Sequence, residues 1–223
     1  MTSHALLTAF NAAKPALGAW ITLSEPLTAR LVAGSSPHLD WVVIDCEHGL
    51  ISLNPGASNS IQAIMSLGEK APSALVRIPA TGASASTSWQ IKYALDGGAR
   101  GVLVPMVENA AKAREIASDA RFPPVGRRGF GSPFNHGFWG LSAAEYMQGA
   151  NESVIVMVQI ETKAGVDHVE EIAAVDGIDV LFIGPYDLSL GLGYPPPSPD
   201  PHPEVEKVIH QIKDAAHSKG KKW

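Results

Sequence analysis

VIVMVQIETKAGVDHVEEIAAVDGIDVLFIGPYDLSLGLG, residues 154–193, decides the fold. Its segments 154–160 and 180–183 are short β-branched runs, apolar on both faces, and 165–174 between them has apolar residues at helical spacing. A strand, a helix and a second strand of this kind form a βαβ unit with parallel strands covered by helices. The alternation recurs towards the N-terminus, where strands are expected at 16–23, 41–45, 74–78 and 101–104. Helices are expected at 26–33, 56–67, 88–95 and 109–120, and again at 204–219. Asp96-Gly97-Gly98 reads as a helix stop, because glycine takes the left-handed cap conformation at little cost. Segment 125–140, rich in Gly, Arg and aromatics, reads as a mobile loop with one short irregular strand, and 142–149 as a small helix.

An open doubly wound sheet shares this alternation, so the placement of polar residues has to separate the two. Nearly every expected strand is followed at its C-terminal end by a residue able to do chemistry, which is the distribution of a barrel's catalytic face. The expected fold is therefore α/β, a TIM (β/α)8-type barrel formed as one domain over 1–223. The strand count falls short of eight, and Gly220-Lys221-Lys222-Trp223 reads as the entrance to a further strand. A complete barrel takes about 250 residues, so about one C-terminal βα unit is expected to be missing.

Composition narrows the function classes. With 17 basic against 22 acidic residues the formal net charge is −5, so nothing draws phosphate backbones or anionic membranes, and nucleic acid is excluded as an expected partner. The one cysteine, Cys46, permits no internal disulfide, and no apolar run approaches the roughly 18–20 residues of a membrane span. The first residues lack a basic start followed by an apolar block, so a cytoplasmic location is expected.

Two carboxylates fall at neighbouring strand ends. Glu161 ends the run VMVQIET and Asp187 follows the strand in LFIGPYDLSLGLG. Side by side and uncompensated, they would repel and raise one pKa, and a shared cation resolves this. All-oxygen ligation with no His or Cys pair at ligand spacing points to Mg²⁺ or Mn²⁺, with positions left for water and substrate. Either carboxylate alone could instead cap a helix or turn. The run VVIDCEHG, 42–49, ends in Asp45, Glu47 and His48, which puts an imidazole beside a carboxylate able to fix its tautomer, as in a proton-transferring base. Cys46 points to the other face and reads as packing. Arg77 closes ALVRIP where a guanidinium reaches a substrate oxygen or an enolate, or else forms a salt bridge to Asp96 or Glu47. Gln159 shares the face of Glu161. The turn Gly184-Pro185-Tyr186-Asp187 offers amides to a carboxylate. Arg127 and Arg128 sit among glycines, in a loop that grips an acidic substrate or is simply solvated.

On these stretches the chain resembles the HpcH/HpaI aldolases, class II pyruvate aldolases of the phosphoenolpyruvate/pyruvate superfamily. The resemblance is carried by LDWVVIDCEHG (39–49), ALVRIP (74–79), IKYALDGGARGVLVPMVENAAKAREI (91–116), RFPPVGRRGFG (121–131), VQIET (158–162) and FIGPYDLSLGLG (182–193), in family order. It implies a homo-oligomeric lyase that cleaves a 2-keto-4-hydroxy acid to pyruvate and an aldehyde through a metal-bound enolate. On that implication Glu161 and Asp187 are the metal ligands, Arg77 steadies the enolate oxygen, and His48 supported by Asp45 handles the hydroxyl proton through a water. Gln159 then lies in or next to the ligand set, and amides along the stretch Gly184-Pro185-Tyr186-Asp187 supply the carboxylate site. Lys163 is not a Schiff-base lysine on this reading, because a metal already serves as electron sink. The linker 80–88 is longer and richer in Ala, Ser and Thr than the family pattern. The alternatives are a citrate-lyase-like or malyl-thioester lyase, and a catalytically silent small-acid-binding or assembly subunit.

Overall fold

The computed structural model describes residues 3–79 and 86–223; most of the linker singled out above, 80–85, lies outside them. The strands are β1 (Gly18–Ile21), β2 (Trp41–Asp45), β3 (Ser73–Arg77), β4 (Gly101–Val104), β5 (Ile155–Ile160) and β6 (Val180–Ile183). The helices are α1 (Ala5–Asn11), α2 (Pro26–Ala33), α3 (Ser58–Met65), α4 (Ser88–Asp96), α5 (Ala110–Asp119), α6 (Asn135–Phe138), α7 (Ala143–Ser153), α8 (Lys163–Asp167), α9 (Val169–Ala173), α10 (Pro185–Gly191) and α11 (Pro203–Ser218). The strands lie in one sheet in chain order, β1 to β6, and helices fill the crossovers. Strands in chain order joined by helical crossovers are the topology of a TIM-type barrel, here with six strands among the described residues.

The chain divides into two compact units, the first of Met1–Pro79, Thr87–Val102 and Ser118–Ile155, the second of Ala80–Ser86, Leu103–Ala117 and Val156–Trp223. In the first, β1, β2 and β3 pair in parallel, with Trp41 opposite Ser73 and Asp45 opposite Arg77. This register makes the last residues of β2 and β3 neighbours. Every residue of β3 is buried, as expected of a strand covered on both faces. Gly101 has no room for a side chain, since a Cβ there would run into the carbonyl of Ile155. The stop after α4 is made by one glycine of the pair: Gly98 takes φ +98°, whereas Gly97 stays right-handed as the C-cap.

Segment 125–140 forms no strand; its regular part is the short α6. Its two arginines are each tied to a carboxylate and do not form a free basic grip, Arg128 buried and Arg127 with its side chain 57% exposed. The Arg128 side chain is 0% exposed, bonds Asp96 Oδ1 at 2.9 Å and Tyr146 Oη at 3.1 Å, and lies 4.5 Å over the Phe122 ring. Arg127 pairs with Asp119 through two hydrogen bonds. α7 opens on the capping box Ser142/Glu145, in which each side chain satisfies the other's backbone amide.

In the second unit β5 and β6 are parallel, with Gln159 opposite Phe182 and Ile160 opposite Ile183. The helix expected at 165–174 is broken at His168 into α8 and α9. Lys222 forms an isolated parallel bridge to Val180, with Leu181 N donating to Lys222 O at 2.9 Å and Lys222 N to Asp179 O at 3.0 Å. Among the described residues no helix is long and apolar enough to cross a membrane.

At the N-terminal end of β3 in the first unit, His4 pins α1. Ser73 Oγ accepts from Leu6 N at 2.9 Å and stands 2.6 Å from His4 Nδ1, while His4 Nε2 is 3.0 Å from the carbonyl of Ser153. The carbonyl requires a proton on Nε2, so Nδ1 accepts from the serine and the ring is neutral. Burial, with the Arg100 charge as a lesser contribution against the Ser153 bond, lowers the His4 pKa to about 4. The unfolded chain, near 6.5, takes up this proton first as pH falls. Stability is therefore complete above about 6.5 and is lost between there and about 4, by up to about 3 kcal/mol. Urea midpoints at pH 7 and pH 4.5 should differ in the wild type by more than in His4→Gln; equal pH dependence in both would exclude His4 as the source.

Candidate active site

The C-terminal ends of β2 and β3 carry the first constellation, within the first unit. Because Asp45 and Arg77 are register partners, they meet side by side: Arg77 Nε donates to Asp45 Oδ1 at 2.8 Å and Nη2 to Oδ2 at 2.7 Å. A two-point bond of this kind fixes the guanidinium plane as well as its position. Trp20, from β1, lies 4.5 Å from the guanidinium along its ring normal, and Glu47 Oε2 is 3.4 Å from Nη1. Asp45 Oδ1 also accepts the amides of Glu47 at 3.1 Å and His48 at 3.2 Å, which folds the chain back after the strand. Burial alone would raise the Asp45 pKa, yet the Arg77 hydrogen bonds and charge and the two amides together hold it below the usual carboxylate range.

The resemblance implies that Asp45 supports His48, and in the structure Asp45 meets His48 at its backbone amide, 3.2 Å away. Both Asp45 oxygens are taken by Arg77 and backbone amides, and the group facing the ring is Glu47, with Oε2 3.6 Å from His48 Nε2. The His48 side chain is 64% exposed, so it stands at the solvent side of a buried Arg–Asp pair. Cys46 is buried and its thiol is pushed up to about 12, first by burial and then by the Asp45 charge, which leaves it a packing residue.

The second constellation lies within the second unit, at the C-terminal ends of β5 and β6. Glu161 is 2% exposed. Its Oε1 accepts the Met106 amide at 2.8 Å and its Oε2 accepts Gln159 Nε2, the residue two back on the same strand face. Gly184, after β6, is packed so closely that a Cβ there would strike Glu161 Oε2 and Gln159 Nε2. The chain then enters α10 directly, with Pro185 at its first position, Tyr186 62% exposed and Asp187 in the first turn. First-turn amides have no acceptor inside their own helix, so the expected free amides belong to a helix start and not to an isolated turn. Lys163 is exposed and pairs with Asp167 at 2.7 Å.

This second constellation fits a hard divalent cation. Gln159 Oε1 is buried with no hydrogen-bond partner, an oxygen left over beside a buried carboxylate. Among the described residues no three His, Cys, Asp or Glu side chains gather as a metal-holding group, and Glu161 and Asp187 follow the ends of successive strands, β5 and β6. Mg²⁺ is typically held by one or two carboxylates with water and substrate oxygens completing its shell, so a two-carboxylate site matches its habit.

Two participants escaped sequence reasoning. Met106 contributes a main-chain amide from a residue at φ +55°, a conformation its side chain does nothing to advertise. Trp20 was legible only as an aromatic within a strand, and the signal that could have found it was its place at the C-terminal end of β1. Removing one partner of a buried ion pair typically costs about 3–5 kcal/mol. Asp45→Ala leaves Glu47 beside Arg77, so a loss of about 3 kcal/mol is expected by urea denaturation; wild-type stability would mean that the pair does not hold these strand ends.

Comparison with known proteins places the chain. The sequence model described as HpcH/HpaI aldolase/citrate lyase matches residues 16–222. A hydroxypyruvate/pyruvate aldolase from Agrobacterium fabrum is 38% identical over 182 residues, covering 82% of this chain and 64% of that protein. A 4-hydroxy-2-oxovalerate aldolase from Novosphingobium aromaticivorans is 43% identical over 175 residues, covering 78% of this chain and 62% of its own length. The chain thus spans somewhat less than two thirds of either relative. The crystal structure of a HpcH/HpaI aldolase/citrate lyase family protein from Burkholderia cenocepacia superposes with a TM-score of 0.85 at 31% identity, covering 98% of this chain and 82% of that one. With the family model matching residues 16–222 and a relative 38% identical over 82% of the chain, this chain belongs to the HpcH/HpaI aldolase/citrate lyase family.

Proposed function

We propose that the chain is a carbon-carbon lyase that cleaves a 2-keto-4-hydroxy acid to pyruvate and an aldehyde, using a divalent cation, Mg²⁺ or Mn²⁺, held by Glu161 and Asp187. The observation that carries this reading is the Glu161 carboxylate, buried at a strand end with the partnerless Gln159 Oε1 beside it and Gly184 cleared of a side chain against it. The aldolase names of the relatives support the reaction class. When bound, the cation would supply Lewis-acid polarisation of the keto oxygen.

The protein's own groups do the rest. Arg77, its plane set by Asp45, has N–H bonds left over and directs them at the oxygen on which charge develops; fixed donors of this sort stabilise a transition state without reorganising. His48, facing Glu47 at the solvent side, exchanges the proton of the substrate hydroxyl through a water. The first-turn amides after Gly184 bind the pyruvyl carboxylate. Tyr186 and Trp20 flank the ends of their strands as apolar surface. A keto acid is thus the proposed small-molecule partner, acted on by a homo-oligomer in the cytoplasm.

A thioester lyase needs cations for a nucleotide tail. Arg127 and Arg128, the basic pair of the 125–140 segment, are bound to Asp119 and Asp96, which favours the hydroxy-keto acid.

Metal-dependent deuterium exchange at the methyl group of pyruvate tests the reading. Wild type should exchange with Mg²⁺ or Mn²⁺ and stop in chelator, and Glu161→Ala and Asp187→Ala should each lose at least about 10²-fold. Wild type without exchange despite bound metal would support the catalytically silent alternative. Gly184→Ala, which forces Glu161 and Gln159 aside, should weaken metal affinity about 10- to 100-fold in a titration while the protein stays folded by circular dichroism; unchanged affinity would remove Gly184 from the ligand cradle.

A further inference from the structure

A cavity of about 160 Å³ lies at the N-terminal ends of β3 and β4 in the first unit, the opposite strand ends from Asp45 and Arg77. Its walls include Ser3, His4, Glu69, Ser73, Gly98 and Arg100. Most polar groups there are already engaged. Ser73 Oγ is shared by His4 and the Leu6 amide, the second His4 nitrogen is at the Ser153 carbonyl, and Ser3 Oγ bonds Thr8 Oγ1 at 2.8 Å.

Arg100 is the exception. Its guanidinium lies 3.9 Å from the centre of the Trp139 ring, which is itself anchored by Nε1 donating to Gly98 O at 3.0 Å. Stacking occupies the face of the guanidinium and leaves its N–H edge open. Among the described residues no carboxylate pairs with it and no acceptor takes those N–H groups. Burial lowers its pKa to about 10, with only the Tyr146 phenol acting to raise it. Arg77, Arg127 and Arg128 are each matched by a carboxylate, so an unmatched, half-buried guanidinium at a cavity departs from this protein's own practice. An arginine in that state calls for an anion, and its planar fork suits two oxygens of a phosphate or similar group.

We propose that this cavity is a binding site for a small tetrahedral oxyanion, inorganic phosphate or sulfate in size, held by the N–H edge of Arg100. At about 30 Å³ for each liquid water, the cavity holds about five waters, enough for one such ion with part of its hydration and too little for a nucleotide. Glu69, exposed at the wall, sets the affinity from the other side by opposing negative charge.

The test is calorimetric titration of the Mg²⁺-loaded protein with inorganic phosphate, with chloride at equal ionic strength as the blank. A saturable isotherm with one site per chain is expected. Arg100→Met, which keeps the apolar stem on Trp139, should weaken binding about 10- to 100-fold. Glu69→Gln should tighten it about 2- to 5-fold. Arg77→Met should leave it unchanged, which separates this site from the opposite strand ends. In unmodified protein, phosphate should raise the His4 pKa by offsetting the Arg100 charge, as followed through the imidazole resonances, so the proposal stands even if Arg100→Met fails to fold. No saturable binding, binding lost in Arg77→Met but kept in Arg100→Met, or a His4 titration indifferent to phosphate would overturn it. A phosphate monoester that competes would show that the site accepts the group at the end of a larger molecule.

Discussion

Ionised side chains buried at strand ends have to be matched within reach of those ends, and this constraint organises both constellations. Asp45 and Arg77 satisfy it for one another because the β2/β3 register makes them neighbours. A slip of one residue would turn either side chain to the other face and leave two unpaired charges inside the protein. The pairing therefore constrains register as well as orienting a guanidinium. Glu161 meets the same constraint differently, through neutral N–H donors from Met106 and Gln159. Neutral donors orient a carboxylate without themselves cancelling its charge.

The arginines show how the protein divides structural from chemical work. Arg128 is enclosed by Asp96, Tyr146 and the Phe122 ring, and the more exposed Arg127 is tied to Asp119, so both hold the segment after α5 in place. Arg77 is clamped along one edge by Asp45, with Glu47 beside Nη1 and the Trp20 ring over its face. Arg100 has a ring beneath it and, among the described residues, no carboxylate paired with it. Four guanidiniums of identical intrinsic chemistry are thereby assigned different tasks by what stands next to each.

Much of the fold was legible because its signals are local. All six strands appear within about two residues of the runs read from sequence, since an apolar run covered on both faces has few other solutions. The 125–140 segment was read less well: Gly and Arg suggested a mobile basic loop, while the acids that bind those arginines, Asp96 and Asp119, are distant in sequence. The same limit explains the imidazole. Asp45, Glu47 and His48 were visible as a cluster, but which carboxylate faces the ring depends on Arg77 arriving from the next strand and occupying Asp45. The break at His168 and the single left-handed glycine after α4 are likewise tertiary choices among locally equivalent options.

Met106 is the least conspicuous member of the second constellation, since what it offers is a main-chain N–H held at a left-handed backbone angle. Atoms of the peptide unit survive every ordinary replacement, so truncating position 106 to alanine keeps the donor in place and a scan of side chains passes over it in silence. Selection at this position therefore acts on the shape of the chain. Variation that a sequence comparison would score as tolerance, one side chain exchanged for another, is compatible with an unvarying contact to Glu161.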